Sequence, residues 1–290
     1  MASINLTTKE VARLLSVSEA TVKRWSDDGR LRSDKTVGGH RRFSIQAIAQ
    51  LRREQGIGQE SQPPLRRAAG SKAHNKHLPS SASFSEFLLR GDEREAASVL
   101  VDAYLHSHTL ASVLDTTITE AMHRVGDLWF KGTITIADEH LATRVALSAL
   151  QKLRSIAVPA EPTGLKAICC GIEGDLHELP IHMTELILET EGWEAKNLGP
   201  NTPLFALREM VARQRPQLVC VSARSIADLD RATTEYRQLR RVTGKLAVAV
   251  VIGGEGFRDR TLRERFPSEF YAEDFTGLSK FVRALAKKKA

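Results

Sequence analysis

Three cysteines in 290 residues leave no material for a disulfide framework. Cys169, Cys170 and Cys220 also lack CxxC spacing, so neither a cysteine-based zinc site nor a dithiol redox motif is encoded. Each lies in a short apolar run, and the three read as small core residues in a reducing compartment. Long hydrophobic runs are missing too, which excludes a membrane-spanning helix. The opening MASINLTTKEV has no apolar signal-peptide core. The expectation is a cytoplasmic protein with no membrane partner. A hydrophobic content of 42% with 27% charged residues excludes global disorder. Acidic residues are sparse at one end only. Residues 1–77 hold 15 Lys and Arg against 7 Asp and Glu, a net of +8, whereas residues 78–290 hold 27 against 28. All of the basic excess therefore sits in the first quarter, as in a nucleic-acid-binding module joined to a nearly neutral one, or as a solvated basic surface with no partner; charge alone does not separate the two.

That first quarter reads as helix, tight turn, helix. Thr7 and Glu10 have capping-box spacing, with Val11, Leu14 and Leu15 as the apolar face behind them. Ser16-Val17-Ser18 forms the turn, and Ser18 is placed to cap a second helix, Glu19 to Asp28. This helix exposes Thr21, Lys23 and Arg24, buries Val22 and Trp25, and stops at Gly29. Thr36 to Phe43 reads as a glycine hairpin with basic flanks, and Ser44 opens a third helix carrying Ile45, Ile48 and Leu51. Residues 56–83 turn to Gln, Pro, Ser, Gly, Lys and Arg, a flexible basic linker that cannot bury enough surface to fold alone.

Residues 84–157 carry helical spacing without strand alternation: Phe84/Phe87/Leu88, Val99/Leu100, Leu110/Val113/Leu114, Ile118/Met122/Val125 and Leu141/Val145/Leu147/Leu150. About four helices fit, a small bundle. After Pro159, β-rich runs alternate with helical stretches: Lys166–Cys170, Ala195–Leu198, Leu218–Ser222, Ala247–Ile252 and Phe270–Ala272. This alternation argues for a parallel sheet covered on both faces, with ligands outside the strands' carboxyl ends. The expected domains are 1–55, the linker 56–83, a helical cap 84–160, and an α/β domain 161–290.

A helix-turn-helix presents its second helix to the major groove of DNA. TTKEVARLLSVSEATVKRWSDDGRL followed by TVGGHRRF resembles the N-terminal domain of MerR-family regulators. The resemblance implies a winged head in which Thr21, Lys23 and Arg24 enter the groove, while His40, Arg41 and Arg42 grip phosphate or the minor groove. Trp25 belongs to core packing.

The helical segment contains MHRVGDLWFKGTITIADEHLAT. It resembles the helical cap of cobalamin-dependent photoreceptor regulators of the CarH type, with their Trp-x9-Glu-His motif. By that resemblance Trp129 packs against the adenosyl group of adenosylcobalamin and Glu139 contacts it. His140 takes the upper cobalt position once light has removed that group. Downstream, Asp175-Leu176-His177-Glu178-Leu179-Pro180 looks like the Asp-x-His-x-x-Gly motif of base-off cobalamin-binding domains. There the histidine, here His177, is the lower cobalt ligand, and the aspartate, here Asp175, holds its other nitrogen. Ser222, Gly253 and Gly254 match this fold's later loops in order, and glycine at the last site lets backbone approach the nucleotide tail. Together the resemblances imply a multidomain α and α/β chain: a winged helix-turn-helix head, a four-helix bundle and a doubly wound, flavodoxin-like cobalamin-binding domain.

Pro180 departs from the motif by placing a ring where the family has glycine, although proline suits the first turn of a helix. This leaves open another tetrapyrrole, a bilin or haem, or no chromophore. His106, His108, His123 and His182 read as ordinary surface or core histidines. The implied function is a non-enzymatic transcriptional regulator, a repressor, acting on double-stranded promoter DNA. In the resembled family it is a tetramer in the dark and smaller after light. A corrinoid methyl carrier is the alternative.

Overall fold

The structure is a computed structural model describing residues 5–15, 17–36, 38–44, 47–48, 51, 81–107 and 109–289. Most of the expected linker lies outside the described residues, as do Ser16, Ile45 and His108. The chain divides into two compact units, Met1–Val158 and Pro159–Ala290.

The head of the first unit is built on local hydrogen bonds that its sequence spells out. Strand β1 (Asn5–Thr7) leads into helix α1 (Thr8–Leu14). The capping box at the junction is formed: Thr7 N–H and Oγ1 donate to Glu10 Oε2 at 2.7 and 2.8 Å, and Glu10 N–H donates back to Thr7 Oγ1 at 3.3 Å. Helix α2 (Glu19–Asp27) is capped by Ser18, whose side chain accepts from Thr21 N–H. Val22 and Trp25 face inward, at 0% and 8% exposure. Gly29 leaves the helix with φ +72°, a conformation that favours glycine. The wing follows: β2 (Asp34–Lys35) pairs antiparallel with β3 (Arg41–Ser44), which also pairs with β1. Ile48 and Leu51, in the region expected as a third helix, are buried.

The helical part begins at Ser81, inside the stretch expected to be linker. Its helices are α3 (Ser81–Arg90), α4 (Glu93–His106), α5 (Leu110–Val113), α6 (Glu120–Phe130) and α7 (Ile136–Arg154). A π-helical turn, Leu114–Thr119, joins α5 to α6 with helical backbone angles throughout, so four rods pack around one core. Phe84, Leu88, Leu100, Leu114, Ile118, Val125, Val145 and Leu150 fill it. Leu141, expected among them, is exposed instead. Its side chain lies near Gly91, at the turn between α3 and α4.

The second unit is a five-stranded, all-parallel sheet of β4 (Lys166–Gly171), β5 (Glu194–Asn197), β6 (Leu218–Ser222), β7 (Ala249–Gly253) and β8 (Phe270–Ala272). Strand order is β5-β4-β6-β7-β8, the flavodoxin-like doubly wound order. The helices are α8 (Leu179–Thr190), α9 (Leu204–Gln214), α10 (Leu229–Lys245), α11 (Arg260–Glu264) and α12 (Phe275–Lys289). One sheet face, carrying Ile168, Cys170, Val219, Val221, Val250 and Ile252, packs with Leu207, Tyr236 and Phe266 into the main core. All three cysteines are buried and unpaired, and desolvation raises each thiol's pKa, that of Cys170 to about 12.

Candidate functional site

The chain reverses its direction of progress across the sheet between β4 and β6, and the crevice of such a fold opens at that switch point. The loop leaving β4 carries Asp175 and His177. Asp175 is 3% exposed, yet every donor around it favours its ionised form. Its Oδ1 accepts from His177 N–H at 3.0 Å and lies 2.7 Å from His177 Nδ1. Its Oδ2 accepts from Arg224 N–H, just beyond β6. Burial pushes the carboxyl's pKa up. The hydrogen bonds from the His177 ring, Arg224 N–H and His177 N–H outweigh it and hold the value below the ordinary one. The carboxylate thus ties the β4 and β6 loops across the switch point and fixes the imidazole. The His177 side chain is 56% exposed, and with Nδ1 engaged its remaining nitrogen is Nε2.

A third loop locks this one. Asn201 accepts from Gly174 N–H through Oδ1 and donates its own N–H to the Asp175 carbonyl, both at 2.8 Å. Pro180 falls in the first turn of α8, where the missing N–H costs no helix bond. Beside the loop, Gly171, Ser222, Gly253 and Ala272 stand in register across four strands. Strand alternation puts them on the face opposite the main core, so the sheet's carboxyl edge there has little side-chain bulk. Gly254 also has a steric reason of its own to be glycine. With φ +94°, a Cβ there would sit 2.4 Å from the Ala223 carbonyl oxygen.

In the helical part of the first unit, Trp129 lies in the last turn of α6 at 48% exposure. Phe130, Ile136 and Leu141 are exposed apolar neighbours in sequence. Glu139 and His140 sit in the first turn of α7, started by a capping box that sequence reading passed over although the spacing Thr135-x-x-Asp138 was there. Thr135 N–H and Oγ1 donate to Asp138 Oδ2, and the bond from its side chain, then that from its backbone, lowers the Asp138 pKa. Glu139 Oε1 accepts from Thr143 Oγ1 at 3.0 Å, and its Oε2 lies 3.7 Å from His140 Nε2.

On the head, Lys23 and Arg24 are exposed on α2, and Thr21 is half-buried. His40 is exposed at the hairpin tip, where Thr36 N–H donates to the His40 carbonyl. Arg42 is half-buried, and Arg41 is ion-paired with Asp27 of α2. Of the other histidines, His123 is exposed, His106 bonds the Asp102 carbonyl, and His182 lies beside Asn197 and Glu185.

Among the described residues no group of three or more His, Cys, Asp and Glu could hold a metal ion. A metal-bearing macrocycle brings its own ring ligands and would need only one from the protein, which His177 would supply. The exposed imidazole with a buried carboxylate behind it fits such a group. None of the three buried cysteines is accessible for a thioether-linked bilin.

A B12 binding domain model matches residues 81–154, and a helix-turn-helix domain model matches residues 6–56. The chain is similar to the HTH-type transcriptional repressor CarH of Myxococcus xanthus, 25% identical over 251 residues, covering 78% of this chain and 82% of the relative. It is also similar to trimethylamine corrinoid protein 2 of Methanosarcina acetivorans, 22% identical over 212 residues, covering 71% and 94%. In fold it matches the monomethylamine corrinoid protein of Methanosarcina barkeri with a TM-score of 0.61 at 15% identity, covering 73% of this chain and 100% of that one. No described helix is long and apolar enough to cross a membrane. With a helix-turn-helix domain ahead of a B12 binding domain, and with its similarity to a helix-turn-helix-type repressor, the chain is a cobalamin-binding transcriptional regulator.

Proposed function

We propose that this regulator represses transcription from promoter DNA in the dark with adenosylcobalamin bound, and that light releases it. The observation that carries the reading is the Asp175–His177 pair at the switch point of a chain whose first domain is a helix-turn-helix. His177 is the proposed lower cobalt ligand, oriented by Asp175, with Ser222, Gly253 and Gly254 at the edge that receives the cofactor. Trp129, Glu139 and His140 are proposed to cover its other face. Trp129 would pack against the cofactor's adenosyl group, and His140 would be available to hold its cobalt. The bound cofactor supplies a cobalt–carbon bond that light breaks. Thr21, Lys23 and Arg24 read the major groove, with the wing on the backbone. The proposed division into domains is a head of 1–55, a linker from 56 that gives way to α3 at Ser81, a helical cap to 160 and an α/β domain of 161–290, and the assembly a cytoplasmic homo-oligomer, a tetramer in the dark.

Linking several heads in one assembly makes each later DNA contact effectively intramolecular, so a change of assembly becomes a change of affinity. The similarity to a trimethylamine corrinoid protein raises a second reading, a corrinoid carrier. The helix-turn-helix domain favours the regulator.

The test mixes purified protein with adenosylcobalamin in darkness, passes it through a sizing column, and records spectrum and size before and after green light. Co-elution of a cobalamin spectrum with a light-induced change in both is expected, and His177→Ala alters the cobalt spectrum. A colourless protein peak would rule the reading out.

A further inference from the structure

Asp27 is out of place on a helix that meets DNA. Phosphates repel it, and it follows Arg24 by three residues on the same recognition helix. The structure gives it a task. Its Oδ1 accepts a hydrogen bond from Arg41 Nη2 at 2.5 Å, with Asp27 62% exposed and Arg41 only 20% exposed. Arg41 and Phe43 alternate with Arg42 along β3, so Arg41 shares the strand face of Phe43, which is fully buried in the head's core. Two further bonds fasten the same end of α2: Ser26 Oγ to Ser33 Oγ at 2.7 Å, and Leu31 N–H to the Trp25 carbonyl at 2.9 Å.

We infer that Arg41 is a positioning residue rather than a phosphate contact: the Asp27–Arg41 pair sets the wing against the recognition helix, and His40 and Arg42 make the wing's contacts with DNA. The inference rests on the DNA-binding reading above. Simple electrostatics and positioning predict opposite signs for one substitution. If Asp27 were only a misplaced charge, removing it would strengthen binding and free Arg41 for phosphate. If it holds the wing, removing it weakens binding.

The experiment measures affinity of the full chain for mixed-sequence duplex DNA over a salt series, because the slope counts phosphates engaged, at about 0.9 each. Asp27→Ala and Arg41→Gln are each expected to weaken binding several-fold at unchanged slope. Arg42→Gln is expected to lower the slope by about 0.9 per head engaged. The exchanged pair, Asp27→Arg with Arg41→Asp, is expected to recover affinity, and thermal unfolding of each variant shows whether the head itself has loosened. Tighter binding with a steeper slope in Asp27→Ala, or a lower slope in Arg41→Gln, would overturn the inference. No DNA binding by the unaltered chain would overturn the DNA-binding reading, and the inference with it.

Discussion

Asp175 is the residue on which the most structure converges, and its charge state has a measurable consequence. Its carboxyl is acidified in the folded chain, since donors from His177 and Arg224 outweigh burial. A folded-state pKa below the unfolded value contributes stability that is complete above the ordinary carboxylate range. That stability is lost as pH falls through the lowered value. Asp175→Asn cannot titrate, so its melting temperature should fall less steeply with acid than that of the unaltered protein. At neutral pH it should be less stable by about 1.5–3 kcal/mol, the worth of hydrogen bonds to a charged group. Because the same carboxylate orients His177, adenosylcobalamin affinity should also drop by about 10- to 100-fold. Melting curves across pH and a cofactor titration read the two effects separately. The sequence shows one half of this arrangement and hides the other. Asp175 and His177 are two residues apart, and their pairing is legible as a motif. Arg224 enters 49 positions later through its backbone N–H, which no side-chain pattern encodes. Arg41 is the opposite case. Its type suggested phosphate, and only the folded head, which brings it to Asp27, reveals its partner.

Elements were legible where composition and period agree. Strands β6 and β8 fall on the expected residues: β6 is an apolar run buried inside the parallel sheet, and β8 a short run set between Glu269 and Glu273 at its edge. Helix α3 starts earlier than expected because Ser81 and Ser83 look like linker. Their neighbour Ser85 is buried, and Ser81 Oγ donates to Glu120 Oε2, a partner 39 residues away. The π-turn at Leu114–Thr119 was invisible for another reason: the apolar spacing on either side still reads as one helix. Helix α7 offers the test at this scale. Its start carries Glu139 and His140, and the Thr135–Asp138 box satisfies backbone donors that would otherwise be unpaired. Thr135→Ala should cost about 1 kcal/mol of stability. It should also loosen the first turn without touching the core behind it. Hydrogen exchange confined to residues 136–140, with the rest of α7 still protected, is the expected pattern. Uniform exchange along α7 would place its stability elsewhere.

Across the whole molecule, the separation of charge sets what can be measured from outside. Residues 1–77 carry a net of +8 and the rest a net of −1, so the salt dependence of DNA binding reports on the head and the basic stretch that follows it. Asp175 and His177, by contrast, lie in the unit Pro159–Ala290, outside the basic segment. This makes the salt slope a counter of heads. If adenosylcobalamin acts by assembling the chain, adding it in the dark brings more heads to one duplex, and both affinity and slope rise together. If it acts by reshaping a head already bound, affinity changes while the number of phosphates engaged, and therefore the slope, stays fixed. The expected outcome is the first, with the slope returning to its cofactor-free value after green light. A slope that ignores the cofactor while affinity responds would place the signal inside a single chain, and the oligomer would then have no part in release.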